Sequence, residues 1–217
     1  MAEPVKAPRR YHSPKRTAKA HQTRTRILAA AHTLFCEQGY VTTTVEQIAG
    51  QAGVSTPTVY LAFGTKREIL KQLSDTLAAG DDAPVPLMER GWFHQIRDEP
   101  DPKRQIQLGV AAAREIYERV AQLLEVVRAA AGADPELATQ WETNRAQREQ
   151  FQACLVEFLD RKDGLREDLT LERAKDIYIA LESPELYVLL VHQRGWTPHE
   201  WESWVAENLR QQLLQVI

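Results

Sequence analysis

His199-Glu200-Trp201-Glu202 is the nearest this sequence comes to a metal-binding helix, and it lacks the second His of a zinc-binding HExxH pair. The six histidines form no Glu-x-x-His pair of the kind that builds a di-iron bundle. No GxGxxG, GxxxxGK[ST] or GxSxG stretch is present, so phosphate-cradling loops and nucleophile elbows lack their glycines. Cys36 and Cys154 stand far apart with no CxxC spacing, which argues against a zinc site and a disulfide framework and fits a reducing compartment. No enzyme, metal or cofactor is expected. What is left is a group of side chains suited to holding a partner. Val45 to Lys66 reads VEQIAGQAGVSTPTVYLAFGTK, a run of hydroxyls with one phenol and one terminal ammonium.

These groups need elements to present them. Thr43-Thr44-Val45-Glu46 has the spacing of a capping box, with the Thr43 hydroxyl at the helix start and Glu46 reaching back, which predicts a short helix from Thr44 to Ala52. Gly53 permits a tight turn, and Ser55 can cap a second helix over Thr56 to Phe63. Two short helices meeting at a sharp turn are the mechanics of a helix-turn-helix, with Ile48, Ala49, Val54, Val59 and Phe63 as its interior. If Val59 and Phe63 point inward, a rotation of ~100° per residue puts Pro57 and Leu61 on the opposite face, flanked by Thr58 and Tyr60. Lys66 opens the next helix, where a cation opposes the helix dipole; a phosphate partner would account for that cost.

Charge points the same way. The first 74 residues carry +7 and the rest −10, which together give the formal −3. Lys6, Arg9, Arg10, Lys15, Arg16 and Lys19 crowd into the first twenty positions. A basic front on an acidic body fits one end meeting a polyanion, although a solubilising tail would have the same composition. The longest aliphatic or aromatic run, Leu186 to Val191, falls far short of the ~20 apolar residues of a membrane span, and the basic front lacks the apolar block of a secretory signal. A cytoplasmic protein without membrane contact is expected.

The pattern stays helical from Thr25, with Gly39 as a left-handed cap and breaks at Gly80 to Pro86, Pro100 to Pro102, Gly132 to Pro135, Lys162 to Thr170, Ser183-Pro184 and Gly195 to Pro198. No period-two run is found. The reading is all-α, about nine helices, the last opened by Thr197-Pro198-His199-Glu200.

The pattern of TTV, IA, AGVS, T-hydrophobic-Y, F and K over Thr43 to Lys66 resembles the TetR family of bacterial one-component transcriptional regulators. Weaker likeness lies in Asp134-Pro135-Glu136-Leu137, Ser183-Pro184-Glu185-Leu186-Tyr187 and Gly195-Trp196 through Trp204. The resemblance implies a homodimeric, ligand-responsive repressor on a double-stranded palindromic operator. Its parts would be a basic, disordered arm over 1–23, a three-helix DNA-binding domain over 24–71, and a helical ligand-binding and dimerisation domain over 72–217. It also implies that Thr44, Thr58, Tyr60 and Lys66 touch phosphates while Thr56, Pro57 and Leu61 face base edges. Ala62 departs from the family, whose members often carry His there. With Pro57 and Leu61, it leaves a recognition face poor in hydrogen-bonding groups, better suited to thymine methyls and DNA shape.

In the second half, Trp92, Phe93, Tyr117, Trp141, Phe151 and Tyr178 are candidates to line a cavity for a small-molecule effector, with Asn144, Arg145 and Arg148 as polar anchors; each aromatic fits a plain core position equally well. Trp201, Val205, Leu209 and Leu213 recur every four residues and could complete the core, but the resemblance implies that terminal helices form a four-helix dimer seam. Two alternatives stay open: a helical carrier of lipids or small molecules whose front is merely basic, and a DNA-binding protein indifferent to sequence.

Overall fold

A computed structural model describes residues 14–132 and 134–215. Among these residues the chain is all-α, and its one β feature is an isolated antiparallel bridge between Leu165 and Leu214. The helices are α1 (Pro14–Gln38), α2 (Val45–Ala52), α3 (Thr56–Phe63), α4 (Lys66–Ala79), α5 (Gly91–Asp98), α6 (Pro102–Ala131), α7 (Pro135–Asp160), α8 (Leu171–Leu181), α9 (Pro184–Tyr187) and α10 (Pro198–Leu213). A 3-10 turn, Leu87–Glu89, precedes α5, and a π-helical turn, Val188–Gln193, continues α9.

The helix starts follow from local chemistry. Asp101, Asp134 and Thr197 each accept a backbone N–H of the first turn, and proline follows each of them at the first helical position, where its missing N–H costs nothing. The box at α10 is complete: the Glu200 carboxylate accepts the Thr197 N–H at 2.6 Å, and the Thr197 hydroxyl accepts the Glu200 N–H at 3.2 Å. Helical breaks lie where Gly and Pro place them. The start of α1 differs from expectation: the helix begins at Pro14, so residues 14–23 are helical where a disordered arm was expected. Lys6, Arg9 and Arg10 lie outside the described residues.

Two cores organise the chain. One joins Ile27 and Phe35 of α1, Ile48 of α2, Val59 and Phe63 of α3 and Ile69 of α4, and it is closed by Leu123 and Val127 of α6 and Leu137 of α7. The other fills the space between α5, α6, α7, α8 and α10. Helix α4 runs unbroken through residue 71, and the Arg119 side chain of α6 donates to the Leu77 carbonyl at 2.9 Å, so the far end of α4 is tied to α6. The N-terminal helices are thus packed directly onto the long helices of the body.

Candidate nucleic-acid interface and effector cavity

The turn between α2 and α3 is built by Gly53, whose φ of 63° is left-handed; an added Cβ would also meet the Arg26 guanidinium at 2.6 Å. Arg26 donates to the carbonyls of Ala52 and Gly53, tying the turn to α1. Val59 and Phe63 are buried against α2 and α1, while Leu61 is 89% exposed and Tyr60 49% exposed. Pro57 is exposed, and Thr56 and Thr58 are half-buried. The orientation read from helical rotation is therefore the one found. Ser55 stands at the cap position without capping; its hydroxyl lies 2.8 Å from that of Thr58. Ala62 sits over α1, its carbonyl accepting from Arg24, whose guanidinium also lies 4.4 Å from the Phe63 ring centroid.

Two expectations at this face are corrected. The capping box at α2 is Thr44 with Gln47: the Thr44 hydroxyl accepts the Gln47 N–H at 3.2 Å, and the Gln47 side chain accepts the Thr44 N–H at 2.8 Å. Thr43 is fully buried and donates to the Gly39 carbonyl at 2.8 Å, closing the end of α1. Thr44 is exposed, so its oxygen is a cap and still faces solvent. Lys66, expected at a phosphate, points inward. Its Nζ donates to the carbonyls of Tyr40 at 2.8 Å and Thr43 at 2.7 Å, and it lies 4.2 Å from the Tyr40 ring centroid. Burial pushes its pKa down, with Asp134 pulling the other way. Its charge is satisfied by the protein, which clamps the α1–α2 loop to the start of α4.

Below the head, a cavity of about 1410 Å³ opens between α1, α4, the loop after α4, α6 and α7. Leu28 and His32 of α1, Leu73 and Leu77 of α4, and Val120 and Leu124 of α6 contribute to its wall. At one side the Glu182 carbonyl, at the end of α8, accepts from the Tyr117 hydroxyl at 3.0 Å and the Gln152 amide at 2.6 Å. Burial pushes the Glu182 carboxyl up to about 8, against the Gln152 hydrogen bond and the Arg148 charge, which both pull it down.

Of the effector candidates, Tyr117, Asn144 and Arg148 line this cavity, as does Phe151. The others do not. Trp92 and Phe93 pack on Phe151 at 5.9 and 5.2 Å between ring centroids. Trp141 lies under the Arg148 guanidinium at 5.5 Å and packs against both cores. Tyr178 is buried where α8 meets α6: a Cβ on Gly109 would come within 2.9 Å of its hydroxyl. Arg145 is exposed and paired with Glu142 and Glu149. Sequence reasoning missed Gln152 and Glu182. Each is marked by a polar residue at a core position, Gln152 between Phe151 and Leu155 on the buried stripe of α7, and Glu182 continuing Ala174 and Tyr178 at intervals of four.

Comparison with known proteins agrees with this geometry. The family model for bacterial regulatory proteins of the tetR family matches residues 27–73. The uncharacterized HTH-type transcriptional regulator YdeS of Bacillus subtilis (strain 168) is 30% identical over 166 residues, covering 76% of this chain and 77% of YdeS. The chain belongs to the TetR family. It carries that family's N-terminal helix-turn-helix, followed by a helical C-terminal half. The HTH-type transcriptional regulator HbdR of Aromatoleum sp. (strain CIB) is 40% identical over 79 residues; the match spans 35% of this chain and only 33% of HbdR. In fold, NalD of Pseudomonas aeruginosa, the secondary repressor of the MexAB-OprM multidrug efflux pump, superposes with a TM-score of 0.68 at 22% identity, covering 91% of this chain and 100% of NalD.

TetR-family membership does not rescue the expected dimer seam. Trp201, Val205, Leu209 and Leu213 are all fully buried within the single chain. Trp201 packs edge-on to Tyr187 and Tyr117, at 5.1 and 5.8 Å between ring centroids, and the others fill the second core. The stripe faces inward because α6 and α8 cover it. The other side of α10 carries Trp204, 37% exposed and 5.9 Å from the Trp196 ring, with Leu189 of the π-helical turn 39% exposed.

Proposed function

We propose that this TetR-family regulator is a ligand-responsive repressor, released from a palindromic operator when a small molecule fills the cavity beneath its head. The observation that carries this reading is the shared wall: α1 and α4, which hold the helix-turn-helix, line the same space as α6 and α7. A ligand that binds better when α4 is displaced draws population from the DNA-competent state by the ratio of its two affinities. A coupling of ~1–3 kcal/mol is ordinary for such a device. Two heads in a homodimer would enter successive major grooves ~34–36 Å apart, with Thr56, Pro57 and Leu61 at base edges and Thr44, Thr58 and Tyr60 towards phosphates. Exposed Trp204 and Leu189, with the half-buried Trp196 beside Trp204, supply an apolar surface for the dimer.

Free cations are few on the described part of the head, since Arg24, Arg26 and Lys66 bond to the protein and Arg67 pairs with Glu136. The basic front would therefore supply much of the phosphate attraction. The test is a mobility-shift titration on duplex from the protein's own promoter region, across salt concentrations, with the full chain and with residues 1–13 deleted. Specific retention that falls on addition of a cavity ligand supports the reading; the deletion should flatten the salt slope by up to ~0.9 for each phosphate that the front neutralises. Equal affinity for random duplex, or no ligand effect by any compound that binds the cavity, defeats it.

A further inference from the structure

The cavity has one feature that a purely apolar effector would not use. Glu182 is only 3% exposed, yet it lines the cavity, and among the described residues the single hydrogen bond its carboxylate accepts is a long one, from the Gln152 amide at 3.3 Å. A carboxylate offers about four acceptor sites, so most of this capacity is unused. The shorter Gln152 bond goes to the backbone carbonyl of the same residue, which a neutral side chain at 182 would leave intact. The acid thus adds a desolvation cost without a matching internal bond.

The surrounding charges sharpen the point. Acids predominate in the lining: Asp75, Glu89 and Glu182, with Asp82 paired with His21 and Asp81 held by both terminal nitrogens of Arg90 at 2.8 and 2.9 Å. Of the two arginines there, Arg24 is bonded to Ala62 and Gln72, and Arg148 lies over Trp141. The rest of the wall is largely aliphatic and aromatic.

We propose that the effector is an amphiphilic organic cation, an apolar body carrying a protonated amine, and that Glu182 receives the ammonium while Leu28, Leu73, Val120, Leu124 and Phe151 hold the body. This rests on the reading of the cavity as the effector site. The amine would donate to the carboxylate lone pairs that Gln152 leaves open, a charge-assisted bond strengthened by the dry surroundings. The groups that face Glu182 are Arg148 and Gln152 on α7, Tyr117 on α6 and Tyr178 on α8. Because burial holds the empty carboxyl protonated up to about pH 8, the cation must release that proton on binding. Affinity should therefore climb by up to ~tenfold per pH unit between pH 6 and 8 and level off above, the alkylammonium staying charged to about pH 10.

Three probes of one length decide it: decylamine, decanol and decanoate, each below its micelle concentration, titrated calorimetrically into the full-length protein and its Glu182→Gln variant. Gln replaces the neutral carboxyl with nearly its own shape, so the variant is expected to fold, as its unchanged thermal transition will show. Decylamine should bind tightest to the wild type, and Glu182→Gln should weaken it by roughly tenfold or more while leaving decanol unchanged. The climb in affinity between pH 6 and 8 should be smaller in the variant; His21, His32 and Asp75 line the cavity in both proteins, so the difference belongs to Glu182. Decanoate binding as tightly as decylamine, which would favour Arg148 as the anchor, overturns the inference, as does a variant that binds the amine unchanged. If none of the three binds while specific DNA retention persists, the inference falls and the regulatory reading stands.

Discussion

Helices α3 and α10 each set a buried apolar stripe opposite an exposed side, and the same rotation applies to both, yet one faces as expected and the other is turned about. In α3, Val59 and Phe63 have an evident covering element, the neighbouring α2 with Ile48 and Ala49, so Leu61 and Tyr60 face solvent by elimination. In α10, Trp201, Val205, Leu209 and Leu213 are fully buried by the chain's own α6 and α8, and the exposed side carries a second apolar group at Trp204. Periodicity says which side chains share a face; it does not say whose atoms cover that face. Where the covering elements are not neighbours in sequence, only the tertiary packing separates core from interface.

The sharpest way to break this contrast is a pair of substitutions on α10. Leu209→Ala should cost ~2–5 kcal/mol, as a truncated core leucine does, seen as a lower denaturant midpoint. Leu209→Glu should then prevent folding. Trp204→Glu, on the other side, gives up the edge-on contact with Trp196, ~0.5–1.5 kcal/mol, and should leave the protein folded while shifting sedimentation from dimer to monomer. A well-folded monomeric Leu209→Glu protein would put the seam back on the inner stripe.

The same contrast governs how much of the site is legible in the sequence. The breaks at Gly and Pro, the all-α class and the outward set of α3 follow from local rules that tertiary packing rarely overrides. The cap of α2 falls one residue away from its expected place because Thr43 to Glu46 and Thr44 to Gln47 both satisfy the box; burial of Thr43 under the end of α1, a contact between helices, decides between them. Lys66, taken on its own helix alone, shows an unfavourable dipole and hides the two carbonyls of the α1–α2 loop that accept its hydrogen bonds. Glu182 lies in Leu-Glu-Ser-Pro, where it resembles an ordinary surface acid, and its significance depends on a cavity whose walls come from four distant segments.

Lys66 gives the next test, smaller in effect. Lys66→Met keeps the apolar stem but leaves the Tyr40 and Thr43 carbonyls without their donor, at a cost of ~1.5–3 kcal/mol for bonds to a charged group. Since the ammonium is occupied inside the protein, the slope of log affinity for DNA against log salt should match the wild type. A slope shallower by ~0.9 would return Lys66 to a phosphate.

The smallest expected effect tests the outward face itself. Pro57 and Leu61 stand one turn apart on α3, exposed, with no side-chain donor or acceptor, so the base features they can read are thymine methyls. Leu61→Ala removes three carbons from that contact and should weaken operator binding by ~1 kcal/mol, about fivefold, if a little over one methylene equivalent is buried. Replacing the contacted thymine with uracil, which lacks the methyl, should weaken the wild type by a similar factor and leave Leu61→Ala unaffected, because the two changes delete the same interaction. Tyr60→Phe is the counterpart. Tyr60 is exposed, and if its hydroxyl meets a phosphate as proposed, its removal should lower affinity for operator and random duplex alike, phosphates carrying no sequence information directly. Equal losses on both duplexes for Leu61→Ala, or no uracil effect at any operator position, would mean that α3 docks through another face. The inward burial of Val59 and Phe63 would then fix the helix on the protein without fixing it in the groove.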